Sequence, residues 1–142
     1  AEAMRQYVHR HIARKDLDVG FGAAGEVARN KNGDCTEHAV LLAAMLRAGG
    51  IPSRVVSGLV YVESIGSVKH AFAYHMWTQA LLELDGEMRW IDLDPTLGRS
   101  TPFDASHIAL TTAALDEDRP QDALAGLLPL LGRISISVEQ AE

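Results

Sequence analysis

The dipeptide Asp85-Gly86 is the feature that most constrains the fold, because it separates two strand-like segments, 71–84 and 87–94. Asp-Gly between such segments is among the strongest short-range signals for a two-residue β-hairpin. An earlier segment rich in Val and Tyr, 53–64, also reads as a strand. Because no helical segment separates these three strands, they predict an antiparallel sheet with the helices on one side of it, an α+β fold.

Residues 35–48 are predicted to form a long helix at the centre of the fold. From His38 to its end, only His38 and Arg47 are polar, which is typical of a buried helix. Asp34 is a good N-cap, and Glu37, three residues later, completes a capping box. The Gly-Gly pair that follows, with a proline two residues on, is a typical helix stop signal.

The other predicted elements are less strongly marked. Apolar residues recur at helical spacing over 2–14, and a shorter helix is predicted over 23–30. Later in the chain the pattern predicts a short element near 105–112, a helix near 120–131 and a strand over 133–139. With 142 residues, the chain is long enough for one domain with an ordinary hydrophobic core.

The charge distribution argues against nucleic acid as a partner, because the net charge is −6 and no basic stripe is present. No apolar run reaches the roughly 18 residues that a membrane-spanning helix needs. The chain starts without Met and without a signal-peptide pattern, so we expect it to be a piece of a longer protein. The sequence indicates neither a compartment nor an oligomeric state.

Cys35 is the only cysteine of the chain, and it lies at the first position of the predicted buried helix. The positive end of a helix favours a thiolate, although the carboxylates of Asp34 and Glu37 oppose a second negative charge there. On composition alone a buried structural thiol is the stronger interpretation, because free cysteines are among the most buried residues. A metal ligand and a nucleophile are the other two interpretations.

The predicted hairpin places a carboxylate beside one of the six histidines. Counting back from a two-residue turn puts His75 opposite Thr96 and Trp77 opposite Asp94. Asp94 is then the diagonal neighbour of His75 on the same face of the sheet, within reach of its side chain. A carboxylate in this position fixes the tautomer of a histidine and stabilises its charged form. Together with Cys35, a His75–Asp94 pair is typical of a thiol nucleophile and its base.

A metal site is the alternative use of the same side chains. Its ligands would be Cys35, His38, His75 and Asp94, the first two on one face of a helix. Zinc sites usually show a second closely spaced pair of ligands, and the sequence has none. Of the remaining histidines, His70 and His107 lie in or near predicted loops. We therefore expect no metal and no cofactor.

Three sequence blocks, "GDCTEHAVLLAAMLRAGGIPSRVVSGLVY", "YHMW" and "WIDLDPT", follow one another in this order. Together they resemble the bacterial transglutaminase-like superfamily. The resemblance implies a papain-like core over about 23–98, in which a buried helix carries the cysteine and packs on an antiparallel sheet that carries the histidine and the aspartate. Residues 99–142 resemble a C-terminal extension found in longer bacterial members. We therefore expect 1–142 to form a single transglutaminase-like domain.

The resemblance also implies a Cys-His-Asp triad, with Cys35 as nucleophile, His75 as base and Asp94 as the orienting acid. The implied activity is thiol-dependent acyl transfer, with hydrolysis of peptide or side-chain amide bonds in a protein or peptide substrate favoured, as in a cysteine protease. Crosslinking through a lysine amine, as in a transglutaminase, and a non-catalytic binding or scaffold role are the alternatives. The sequence has no EF-hand calcium loop, which disfavours a calcium-switched crosslinker.

The oxyanion donors are less clearly marked than the triad. In animal transglutaminases a tryptophan well before the cysteine helps to stabilise the oxyanion, whereas both tryptophans of this chain follow Cys35. The backbone N–H of Cys35 is the first expected donor. Asn32 or Gln79 is the candidate for a second donor, and Trp77 is a candidate supporting residue.

Overall fold

The computed structural model describes residues 1–14, 22–115 and 125–137. In these ranges three helices precede four strands and a short 3-10 helix. They are α1 (Glu2–His11), α2 (Ala24–Asn30), α3 (Cys35–Ala48), β1 (Ser53–Ile65), β2 (Val68–Leu84), β3 (Glu87–Leu93), β4 (His107–Ala113) and the 3-10 helix Leu128–Leu130. The predicted α+β class is confirmed, and α3 has the bounds predicted for it.

The four strands form one antiparallel sheet in the order β3-β2-β1-β4. In the β2–β3 hairpin Leu84 pairs with Glu87 and Gln79 with Asp92, so the register predicted from a two-residue turn is confirmed. The turn residues Asp85 and Gly86 both have positive φ, 54° and 81°. This is the backbone that a type I′ turn requires and that an Asp-Gly pair supplies.

The β1–β2 hairpin is longer than predicted. The predicted strands 53–64 and 71–84 imply a loop over 65–70 between them, but β1 continues to Ile65, which pairs with Val68 at the start of β2. The chain reverses at Gly66, whose φ of 58° suits a glycine. The loop prediction was wrong because the two β-branched residues on either side of this short turn extend the ladder instead of ending it.

The core lies between α3 and the sheet. Leu42 and Leu46 are fully buried against Val8 of α1, Ile12 just after α1, and Ala80 of β2. A second cluster joins α3 to β1 and β2, and its members are Ala24, Ala39, Val40, Ala43, Val55, Met76 and Leu115. The thiol of Cys35 packs against this second cluster, so the burial of α3 brings the start of the helix next to β2.

The C-terminal predictions have a mixed outcome. The short element near 105–112 is β4, which pairs with β1. The predicted helix near 120–131 lies partly outside the described residues; within them Ala125 is helical, and the 3-10 helix Leu128–Leu130 follows a turn. The strand predicted over 133–139 is wrong for 133–137, where Ile136 stays exposed. Alternating apolar residues need a sheet edge to pair with, and no described strand pairs with these residues.

None of the helices in the described ranges is long and apolar enough to cross a membrane.

Gly58 marks the closest approach of β1 to its neighbours. A Cβ at this position would overlap the carbonyl oxygen of Ile108 and lie 2.8 Å from Cη2 of Trp77. We expect Gly58→Ala to lower the free energy of unfolding by about 3 kcal/mol, because neither the backbone nor the buried indole can move aside cheaply. Denaturant unfolding followed by tryptophan fluorescence measures the loss.

Gly25→Ala is the matched control for this substitution. Gly25 lies in α2, and its added Cβ would meet only Nη1 of Arg29, at 3.6 Å. Alanine is the better helix former, so the control variant is expected to be as stable as the parent or slightly more stable. Equal denaturation midpoints for the two variants would contradict the close approach at Gly58.

Candidate active site

Asp94 is the centre of the hydrogen-bond network at the open end of the β2–β3 hairpin. Its side chain is fully buried, and Oδ2 accepts hydrogen bonds from Nε2 of His75 at 2.7 Å and from Nε2 of His107 at 3.2 Å. Its other oxygen, Oδ1, accepts from the backbone N–H and the hydroxyl of Thr96, each at 2.7 Å. Four donors thus hold the carboxylate in one orientation without water.

The sequence around Asp94 explains this orientation. Asp94 follows the last residue of β3, and the Asp-Pro-Thr turn lets its side chain cap its own backbone at Thr96. The buried guanidinium of Arg5 in α1 donates to the backbone carbonyl of Asp94 at 3.0 Å. It also donates to the carbonyl of Leu97 at 2.6 Å. The turn is therefore anchored from the helix layer as well as from the sheet.

His75 connects this carboxylate to the thiol of Cys35. The imidazole hydrogen-bonds to Asp94, and the side chain of Cys35 lies close enough to help raise its pKa. Because Nε2 is engaged by Asp94, Nδ1 is the nitrogen left to face the sulfur. The structure therefore brings Cys35, His75 and Asp94, the three residues proposed from the sequence, into one contiguous group.

The hydrogen bond between His75 and Asp94 determines the charges of both side chains. Burial lowers the pKa of His75, but the hydrogen bonds to Asp94 and Cys35 and their charges outweigh it and raise the pKa to about 9. Burial raises the pKa of Asp94, but hydrogen bonds from His107 and His75 outweigh it and hold the pKa well below the usual range of a carboxyl. At neutral pH, His75 is therefore an imidazolium beside an ionised Asp94.

Cys35 begins α3 in a well-ordered helix start. Asp34 accepts a hydrogen bond from the backbone N–H of Thr36 at 2.8 Å, and its own N–H donates to Oε2 of Glu37 at 3.0 Å. The predicted capping box is thereby confirmed. The thiol is half-buried at the positive end of the helix dipole, a position that favours negative charge on the sulfur.

The family model of the transglutaminase-like superfamily matches residues 1–95. The chain belongs to this superfamily. The match starts at residue 1 and includes α1, so it begins before the core of about 23–98 indicated by the sequence blocks. No curated protein matches the sequence at a significant level.

The fold is also similar to the crystal structure of a candidate cysteine protease from Cytophaga hutchinsonii, with a TM-score of 0.61 and 20% sequence identity. The similarity covers 79% of this chain but 35% of that protein. The transglutaminase-like domain thus spans about a third of the length of this neighbour. At this identity the likeness concerns the fold alone.

Two of the predicted supporting residues of the transglutaminase-like domain bind Asp92. Nε1 of Trp77 donates to Oδ1 of Asp92 at 2.7 Å, and Nε2 of Gln79 donates to the same oxygen at 2.8 Å. Oε1 of Gln79 accepts from Arg54 at 2.8 Å. The single N–H of Trp77 is therefore not free for an oxyanion. Its indole instead stacks on His75, with ring centroids 6.1 Å apart, and supports the imidazole by packing.

Asn32, the other candidate donor, lies three residues before Cys35. Its Oδ1 is buried and has no hydrogen-bond partner among the described residues. Asn32 borders an open cavity together with Arg14, Arg29 and Asn30. It is not among the residues lining the cavity beside His75 and Asp94, so the structure does not join it to the triad on that side.

Sequence reasoning missed His107. This histidine of β4 is nearly buried, stacks on Phe103 with ring centroids 4.2 Å apart, and hydrogen-bonds to Asp94. It faces the site because β4 pairs with β1, where His107 lies opposite Val60. The only sequence signal was the predicted short element near 105–112, and nothing in the pattern said which strand it would join.

A cavity of about 350 Å³ opens beside this group. His75, Asp94 and His107 form part of its wall, and Val60, Val62 and Pro102 add apolar surface. This cavity is large enough for an amino-acid side chain next to the imidazole, which is the general form of a small-ligand site.

The side chains that could hold a metal differ from the set considered in the sequence. The nitrogens of His75 and His107 and an oxygen of Asp94 all lie within 4.8 Å of one another. His38, by contrast, uses Nδ1 to bind the backbone carbonyl of Asp34 at 2.6 Å. The metal-ligating atoms that converge therefore come from three strand and turn residues of the sheet, without α3.

Proposed function

We propose that this domain catalyses thiol-dependent acyl transfer with Cys35 as nucleophile, His75 as acid and base, and Asp94 as the orienting carboxylate. Water is the proposed acceptor, so the overall reaction is hydrolysis of an amide bond in a protein or peptide. The observation that carries the proposal is the position of His75, which contacts a buried, ionised Asp94 on one side and the Cys35 thiol on the other.

In the first half-reaction the reacting form is a thiolate–imidazolium pair, in which His75 already holds the proton of the Cys35 thiol. The thiolate attacks the carbonyl carbon of the substrate, and the carbonyl oxygen becomes an oxyanion. His75 then gives its proton to the amide nitrogen, the C–N bond breaks, and an amine leaves behind a thioester on Cys35. Asp94 holds the imidazole in the tautomer and orientation that both transfers need.

In the second half-reaction His75 takes a proton from water, and the hydroxide attacks the thioester. The C–S bond breaks, a carboxylic acid is released, and the thiol is regenerated. The oxyanion of both steps is assigned to the backbone N–H of Cys35, the first of α3, because the N–H groups of a first turn have no partner within the helix. The next N–H, that of Thr36, is already taken by the capping carboxylate of Asp34.

Hydrolysis is favoured over crosslinking by the kind of protein that shares the fold, a candidate cysteine protease. The test is a peptide library incubated with the domain in the presence of a labelled primary amine, with Cys35→Ala as the control. New peptide termini that require Cys35 support hydrolysis. Amine incorporation without new termini would replace the hydrolase by a crosslinking transglutaminase. If neither product forms, a non-catalytic binding module is the better description.

His75 is expected to accelerate alkylation of Cys35, because its imidazolium lies beside the sulfur and stabilises the attacking thiolate. At pH 6.5 we expect iodoacetamide to label the parent at least about tenfold faster than free cysteine. His75→Gln should bring the rate close to that of the free thiol. Mass spectrometry of the single labelled cysteine gives the rates.

His70→Gln is the matched control for this labelling experiment. His70 lies on the same strand, but its ring is exposed and bonds to the hydroxyl of Tyr61. Its replacement should leave the labelling rate unchanged. A parent protein whose labelling rate is that of free cysteine, and indifferent to His75, would remove the nucleophile from the proposal.

A further inference from the structure

Three metal-ligating atoms converge at the inner end of the cavity. Oδ2 of Asp94 lies 2.7 Å from Nε2 of His75 and 3.2 Å from Nε2 of His107. All three atoms fall within 4.8 Å of one another. Two imidazoles and one carboxylate, with further positions open, are a donor set that divalent zinc and its neighbours in the first transition row accept.

The spacing around Asp94 is close to what a bound ion needs. Zinc bound tetrahedrally at about 2.0–2.1 Å holds neighbouring ligand atoms about 3.3 Å apart. The distance from Asp94 to His107 already has this value within about 0.1 Å, and the distance from Asp94 to His75 must widen by roughly 0.6 Å. The ligand nitrogens of the two histidines lie within 4.8 Å of each other, so binding requires the two rings to adjust around the ion.

The ligands are also held from behind, as metal ligands usually are. Thr96 fixes the second oxygen of Asp94 through two hydrogen bonds. Oγ of Ser106 lies 3.2 Å from Nδ1 of His107, and Phe103 stacks on the same ring. The adjoining cavity of about 350 Å³ gives the ion a route in and leaves room for water ligands.

We propose that His75, Asp94 and His107 form a binding site for one zinc-like divalent cation, and that its occupation excludes the His75–Asp94 hydrogen bond. The same lone pair of His75 Nε2 cannot hold a metal while that nitrogen carries the proton donated to Asp94. The His75–Asp94 pair can therefore hold either a shared proton or a metal ion. Metal binding should inhibit the reaction, and this consequence rests on the function proposed above.

Each proton that the metal ion displaces from a histidine has a destination. Nε2 of His75 gives up its proton, to solvent if the ring is an imidazolium, or by a shift to Nδ1 if the ring is neutral. The Nε2 proton of His107 moves to Nδ1, where Oγ of Ser106 can accept a hydrogen bond. His75 is left with Nδ1–H facing the thiol of Cys35, so it has no lone pair with which to take the thiol proton.

The test measures binding without activity. The Cys35→Ala protein, freed of metal by a chelator, is titrated with zinc sulfate by calorimetry and with cobalt chloride by visible absorption. We expect one ion per chain, with a dissociation constant of about 10 μM or tighter. His107→Ala in the same background should weaken binding at least about tenfold, and the control His70→Ala should not change it.

Several results would overturn the proposal. One is the absence of binding up to about 1 mM zinc. Another is an affinity that His107→Ala leaves unchanged. A third is binding seen in the parent but lost in Cys35→Ala, which would assign the ion to the thiol. Circular dichroism and the thermal midpoint verify the fold of each variant, and His107→Gln provides a second replacement of similar size with the same expected loss.

A labelling experiment on the parent protein separates the metal site from the proposed chemistry. Zinc should slow iodoacetamide labelling of Cys35 at least about tenfold, EDTA should restore it, and His107→Ala should make labelling insensitive to zinc. If no substrate is ever cleaved, the function proposed above fails while zinc binding in Cys35→Ala still stands. If zinc does not bind, hydrolysis is unaffected and only the metal site is lost.

Discussion

Replacement of Cys35 by alanine is expected to abolish amide hydrolysis, with kcat/KM lowered by about 10⁴-fold or more. The reason is that a neighbouring base and oxyanion donors cannot form a covalent intermediate once the only nucleophile is gone. The fold should survive, because the thiol is half-buried and lies at the edge of its cluster. Cleavage of a fluorogenic peptide selected from the library measures the loss.

The chain offers a clean control for this result, because Cys35 is its only cysteine. The parent protein treated with iodoacetamide should lose activity in proportion to the labelled fraction, and the alanine variant should take up no label. If the variant retains more than about 1% of the parent activity, the reaction does not pass through Cys35. The water-activating group would then have to be sought elsewhere.

Asp94→Asn is expected to have the second largest effect, a fall in kcat/KM of about 10³–10⁴-fold together with a loss of about 3 kcal/mol in unfolding free energy. Both carboxylate oxygens of Asp94 accept two hydrogen bonds each. An asparagine amide has one oxygen that can accept hydrogen bonds. Its NH2 group, which can only donate, must therefore face the donors of either the histidines or Thr96. In either orientation the imidazole of His75 loses its charge partner or its support.

Asp92→Asn is the matched control, since it removes the same charge two residues earlier. Trp77 and Gln79 both donate to the same oxygen, Oδ1 of Asp92, so the amide oxygen of asparagine can replace it. We expect its kcat/KM to stay within about tenfold of the parent and its stability within about 1 kcal/mol. Steady-state kinetics and thermal unfolding compare the two variants. If they behave alike, Asp94 does not orient the base.

The parts of the site that could be predicted are those set by local rules. A two-residue turn fixes the β2–β3 register, and the register makes Asp94 the diagonal neighbour of His75. Capping chemistry and an apolar run fix the start of α3, so Cys35 lies where the sequence indicated. What joins the helix to the sheet is tertiary packing, and there the superfamily resemblance supplied what local patterns could not.

The parts of the fold and site that could not be predicted depend on pairing between segments that are distant in the chain. His107 reaches Asp94 only because β4 pairs with β1, across an irregularity between Ser57 and Gly58. Trp77 and Gln79 both donate hydrogen bonds to Asp92. The hairpin register predicts the position of Asp92, but it does not predict the direction in which each N–H points. The absence of the predicted strand over 133–137 shows that alternation without a partner strand is not sufficient.

The Asp85-Gly86 turn has a consequence for how this domain can vary. Surface turns usually tolerate insertions, but the side chains of a strand alternate between two faces. One added residue here would move β3 by a single step against β2 and turn Asp94 away from His75. The turn lies roughly 30 Å along the strand from the imidazole of His75. The number of residues in this exposed turn nevertheless determines whether the site can assemble.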